Sequence, residues 1–129
     1  MSNSVRFACL LLALAWGAPA NSFPLPKFLL LYEAAKKVQP GQIDAYTRAD
    51  DFINTFAGAA ITSYMTANAE LRERKQPPLF CAPGSLPFLP KTAIEIIKNG
   101  ADKVLAEEQK LFTAEAVLLF ELQAMFPCE

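Results

Sequence analysis

The sequence predicts an all-α protein: a small bundle of about four helices with one disulfide, set behind an N-terminal signal peptide. Three observations carry this reading. Apolar residues recur at steps of three and four over several segments, and nothing alternates with a period of two for long enough to suggest a sheet. Five prolines between Gln76 and Pro90 forbid a helix there and divide the pattern. Three cysteines become an even two once a targeting segment is removed.

The first twenty residues read as that segment. Arg6 gives a weakly basic start, Phe7 to Trp16 form an apolar run, and Ala18-Pro19-Ala20 fits a small-x-small cleavage site. A run of about ten apolar residues is too short to cross a bilayer as a helix, which needs about twenty. The expectation is export to a periplasmic or secreted location and cleavage after Ala20. Residues 21–129 are then one helical domain, starting at Asn21 and holding no membrane segment. Cys9 leaves with the leader, so Cys81 and Cys128 remain, in a compartment where disulfides persist. The alternative is a cytosolic chain with an uncleaved N-terminus and free thiols.

Loss of Arg6 leaves 11 basic against 13 acidic residues, a formal charge of −2. That balance lacks the basic stripe of a nucleic-acid binder. With 53% of the chain apolar, a domain of this size can bury a real core.

Ser22-Phe23-Pro24-Leu25-Pro26 is predicted to be extended, because each proline biases its predecessor away from helix. From Lys27 a short helix follows, with Phe28, Leu31, Tyr32 and Ala35 on one face and Pro40-Gly41 as its stop. In the longest helix, Phe52, Ile53, Phe56, Ala57, Ala60, Ile61, Tyr64, Met65, Asn68 and Leu71 keep helical step. Asp50 and Asp51 suit its N-terminal region, and Arg72, Arg74 and Lys75 suit its other end. Glu70 and Arg74 are spaced to pair, and Gly58 with Ala59 permits close approach of a neighbouring helix.

A third helix opens at Pro90 and Lys91. Ile94, Ile97, Ala101, Val104 and Glu108 keep its step, with Ile96 and Leu105 widening the stripe. Asn99-Gly100 normally signals a turn. The apolar register is unbroken across the pair, so one continuous helix is predicted. The last helix begins at Thr113 as N-cap and directs Ala116, Val117, Leu119, Phe120 and Met125 inward before Pro127 ends it.

The chemistry of enzymes is sparse. The chain has no histidine, which removes the usual general base and the commonest transition-metal ligand. Two cysteines alone fall short of a structural zinc site. Asp50-Asp51 and Glu107-Glu108 are adjacent, so on a helix they point about 100° apart instead of at one substrate. There is no phosphate-binding glycine loop, nucleophile elbow or EF-hand spacing. The prediction is a protein that is not an enzyme and takes no cofactor.

The informative stretch is the connector QPPLFCAPGSLPFLP, from Gln76 to Pro90. Long irregular connections are uncommon in compact domains, and this one is both proline-dense and apolar. If Cys81 and Cys128 are joined, the cross-link removes roughly 4 kcal/mol of denatured-state freedom in the chain-entropy model. A connector pinned in that way loses little entropy on docking. Leu86, Phe88 and Leu89 then either cap the bundle's own core or contact a partner. Arg72, Arg74, Lys75 and Lys91 are candidate rim contacts, with solvated helix ends as the alternative.

One resemblance adds to this. A helix containing Tyr64, then Leu79-Phe80-Cys81-Ala82-Pro83, then two helices closing on Ala124-Met125-Phe126-Pro127-Cys128, resembles the Rap/Tai immunity proteins of type VI secretion over residues 56 to 128. The resemblance implies an exported all-helical protein that binds and blocks a toxic cell-wall hydrolase such as a peptidoglycan amidase, often as a homodimer. It also implies a disulfide between Cys81 and Cys128. Two readings compete with it: a small periplasmic structural or chaperone-like helical protein, and a helix bundle that carries an apolar ligand.

Overall fold

The computed structural model describes residues 22–84 and 88–129. The predicted signal peptide, the mature start at Asn21 and the candidate contact Leu86 lie outside them. Among the described residues there are four α-helices: α1, Leu25–Ala35; α2, Ala45–Glu73; α3, Pro90–Ala101; and α4, Ala114–Met125. A single 3-10 turn, Gln109–Leu111, precedes α4. No strand occurs among the described residues; Pro24 and Thr113 form an isolated bridge. The predicted all-α bundle is therefore the fold.

α1 starts two residues before the predicted Lys27. Pro26 stands in its first turn, where a missing N–H costs nothing and a fixed φ suits the helix. Pro24 precedes it in extended conformation, and Leu25 and Phe28 are fully buried. α2 also begins earlier than Asp50. Asp44 caps it, its carboxylate accepting from the backbone N–H groups of Tyr46 at 2.9 Å and Thr47 at 3.1 Å. The buried stripe of α2 is Ala49, Ile53, Ala57, Ile61 and Asn68. Phe52, predicted on that stripe, is 52% exposed.

α3 runs back along α2. Pro90 packs over Gly58, where an added Cβ would lie 3.2 Å from the proline Cγ, so the predicted close approach occurs at this glycine. The helix passes through Asn99-Gly100 unbroken, but it ends at Ala101 and not at Glu108. Gly100 is there for packing. A Cβ on it would meet Val117 Cγ1 of α4 at 2.6 Å. Past Ala101 the chain has to reverse into α4, and that requirement overrides the apolar step at Val104 and Leu105. Leu105 is left 61% exposed. Gln109 Nε2 donates to the Ala101 carbonyl at 3.2 Å and so caps the free end of α3.

Thr113 caps α4 as predicted, its Oγ1 accepting from the Ala116 N–H at 3.2 Å. The inward face of α4 differs from the prediction. Ala114, Val117, Leu118 and Leu122 are buried, Ala116 and Leu119 are half-buried, and Phe120 and Met125 are half exposed. This helix is apolar nearly all round, so its spacing does not choose a face, and packing against α3 does.

Two hydrogen bonds close the bundle at the N-terminal segment. The Leu25 N–H donates to the Phe112 carbonyl at 3.0 Å, and the Ala114 N–H donates to the Phe23 carbonyl at 2.8 Å. The Phe23 ring then sits 4.8 Å from Phe56 and 6.4 Å, edge-on, from Phe28. That aromatic cluster fills one end of the core.

Candidate binding site

The other end of the core is built around the connector. Gln76 leaves α2 through a tight cap: its N–H reaches the Leu71 carbonyl at 2.8 Å, and the Lys75 N–H reaches Arg72 at 3.0 Å. This closure requires a left-handed residue, a place glycine usually takes. Here it is Lys75, at φ +58°, a conformation that costs a non-glycine residue about 1–2 kcal/mol.

From there the chain is held by side chains of both long-range neighbours. Asn68, on α2 and 2% exposed, donates from Nδ2 to the Phe80 carbonyl at 3.0 Å and accepts the Leu79 N–H on Oδ1 at 2.6 Å. Gln123 on α4 donates to the Leu79 carbonyl at 3.2 Å. The Cys81 N–H donates to the Phe126 carbonyl at 2.8 Å, and Cys81 is bonded to Cys128 with a Cα–Cα distance of 5.1 Å. Phe80 is 1% exposed. Phe88 stacks edge-on between Phe80 and Phe126, at 6.5 and 6.0 Å. Both arms of the connector are therefore anchored, while Cys81, Pro83, Gly84 and Leu89 face solvent. Cys128 lies beyond the end of α4 and not in its last turn, as Pro127 requires.

The predicted contact residues do not form one patch. Arg72, Arg74 and Lys75 are all exposed at the C-terminal end of α2, beside the start of the connector, with Arg74 paired to Glu70 as the spacing predicted. Phe88 caps the core and also borders a groove of about 440 Å³ with Ile61, Thr62, Met65, Thr66 and Ala69. Leu89 is 58% exposed. Lys91 is elsewhere. It borders a depression with Tyr32, Lys36, Asp50, Asn54 and Glu95 near the start of α2. Arg72 is eighteen residues beyond Asn54, about 27 Å along the helix axis.

A second groove, about 450 Å³ and almost wholly apolar, lies between Tyr64 of α2 and Ala116, Leu119 and Phe120 of α4. The Tyr64 hydroxyl donates to the Glu115 carbonyl at 2.7 Å, and the Glu115 carboxylate accepts the Phe23 N–H at 3.0 Å. Burial pushes the Tyr64 phenol above its ordinary pKa, and the negative charge of Glu115 adds to the shift.

Asn68 is the residue that sequence reasoning placed without a role. Its signal was an amide on an otherwise apolar stripe, about two helical turns before a segment whose backbone has no helical partners. Among the described residues no group of three or more His, Cys, Asp or Glu is placed to hold a metal ion. Asp50 accepts from Asn54, while Asp51, Glu107 and Glu108 stand exposed. No described helix is long and apolar enough to cross a membrane. Comparison with protein-family models, curated proteins and solved structures finds no match to this chain.

Proposed function

We propose that this chain is an exported, inhibitory binding protein of the immunity type, without catalytic activity of its own. On this reading the first twenty residues are removed on export, and the remainder acts in the periplasm or outside the cell. There it blocks a toxic cell-wall hydrolase, a peptidoglycan amidase being the leading target.

The observation that supports a binding role is the connector, where Pro83, Gly84 and Leu89 are exposed next to the anchored residues Phe80, Cys81 and Phe88. A partner that grips Pro83, Gly84 and Leu89 pays little for ordering them, because the bridge, Asn68 and the Phe88 stack hold them beforehand. Arg72 and Lys75 are exposed where the connector leaves α2 and suit an acidic rim on the partner. The resemblance of residues 56 to 128 to the Rap/Tai proteins supplies the class of partner.

The test is a peptidoglycan digestion assay with a purified peptidoglycan amidase, taken from the neighbouring reading frame where that frame encodes one, titrated with the mature protein. Stoichiometric inhibition, weakened at least tenfold by Leu89→Asp, is the expected result. Digestion that proceeds unimpeded at excess protein would reject the reading. Suppression of aggregation of unrelated clients, without a stoichiometric partner, would favour the chaperone-like one.

A further inference from the structure

The depression beside Lys91 is used neither by the connector nor by the core. Its floor includes the buried Ile53 of α2 and Ile94 of α3, and it is bordered by Lys36 of α1, Asp50 and Asn54 of α2, and Lys91 and Glu95 of α3. Its volume is about 320 Å³, the size of a small-ligand pocket. The charges round it are balanced and largely unpaired. Lys91 and Glu95 stand four apart on α3, the spacing at which Lys98 pairs with Asp102 at the other end of the same helix. Yet neither forms an ion pair among the described residues, and neither does Asp50. Lys91 also stands in the first turn of α3, where the helix dipole favours an anion and opposes a lysine. Asn54 is fixed in place. Its Nδ2 donates to the Asp50 carbonyl at 2.8 Å and to the Asp50 carboxylate at 3.2 Å, which leaves its Oδ1 open to a donor.

We propose that this depression binds a small zwitterion of the amino-acid type, either a free amino acid or a short peptide with both ends uncapped. A primary ammonium carries three N–H donors, and the Asp50 carboxylate, the Glu95 carboxylate and Asn54 Oδ1 offer it three acceptors. The ligand's carboxylate finds its donor in Lys91, beside the positive end of α3, and that contact relieves the misfit of a lysine there. Lys36 comes second, because Glu33 already holds it at 3.2 Å. The Tyr32 ring does not take the ammonium, since Lys36 and Lys98 lie over it at 5.5 and 5.8 Å. Two lysines against two carboxylates leave the rim without net charge, so it selects neither a simple anion nor a simple cation. The aliphatic floor of Ile53 and Ile94 meets the ligand's carbon frame. These charges are open to water, so the affinity is low and the pattern of charge sets the specificity. The site is independent of whatever the connector binds.

Titration of the mature protein with alanylalanine, followed by NMR through the backbone and Asn54 side-chain amide signals, tests this. Saturable shifts gathered on the residues round the depression are expected. N-acetylation of the dipeptide removes its ammonium and C-amidation removes its carboxylate, and each should weaken binding about tenfold. Lys91→Gln should weaken alanylalanine by a similar factor while leaving the C-amidated form unmoved. Glu95→Gln should likewise weaken alanylalanine and leave the N-acetylated form unmoved. Free alanine, titrated in parallel, separates the two sources: tighter binding of alanine assigns a single amino acid, tighter binding of alanylalanine a peptide, and either result supports the site. Absence of a saturable shift with both zwitterions, or blocked dipeptides that bind as tightly as the free one, would overturn the proposal. Both variants should still inhibit in the digestion assay, so this site and the connector fail separately.

Discussion

Asn68 shows how much one side chain can organise. It lies on the buried stripe of α2, yet its amide supplies the hydrogen bonds that Leu79 and Phe80 cannot obtain from any strand or helix. Replacement by Ala removes both partners and leaves a buried Phe80 carbonyl and a half-buried Leu79 N–H unpaired, the first costing about 1–3 kcal/mol and the second less. Asn68→Ala should therefore lower stability by about 3 kcal/mol in urea unfolding. A loss below 1 kcal/mol would mean that water replaces the amide. The sequence displayed the residue but not its use, because the groups it serves are eleven and twelve positions away and come within reach only when the connector folds back. The cap of α2 is Asp44, six residues before the Asp50-Asp51 pair whose charge suits the N-terminal region, and Asp50 accepts from Asn54 within the helix.

At the scale of elements, the helices follow the apolar steps wherever a neighbour exists to bury them. α3 stops where that neighbour ends, and α4 turns a face chosen by α3. Its Leu118 and Leu122 go inward where Phe120 and Met125 were predicted, since an all-apolar helix satisfies either choice locally. The connector is the element with the weakest backbone claim, and the Cys81–Cys128 bridge ties it to the chain end. Changing both cysteines to Ser should lower the unfolding free energy by about 4 kcal/mol, the cost of freeing a loop with a separation of 47 residues. Far-UV circular dichroism should stay nearly native, because no helix contains either cysteine. An unchanged melting temperature would show that Asn68, Phe80 and Phe88 hold the connector unaided.

The whole molecule is closed by contacts among its two ends and its longest helix. Phe23 bonds to Glu115, and Glu115 accepts from Tyr64. The unfolded phenol titrates near 10.0, and the folded one titrates higher through burial and the Glu115 charge. The folded state therefore holds this proton more tightly. Its contribution to stability is intact below pH 10 and is lost as pH rises through the folded value. Melting temperatures should fall steeply in alkali, and Tyr64→Phe should flatten that fall while costing about 1 kcal/mol at neutral pH. Parallel alkaline curves for the two proteins would refute this.

Taken alone, the sequence determined the class of the fold, the Thr113 cap and Pro127 stop of α4, and the absence of histidine chemistry from the whole chain. Periodicity, prolines and capping residues act over a few positions, so they can be read without coordinates. Only the tertiary structure decided which apolar face turns inward, where α3 yields to the chain reversal, and that Lys91 stands far from Arg72. It also placed Asn68 between Leu79 and Phe80. Each of these depends on a partner distant in the chain, and packing selects among faces that local propensity leaves equal.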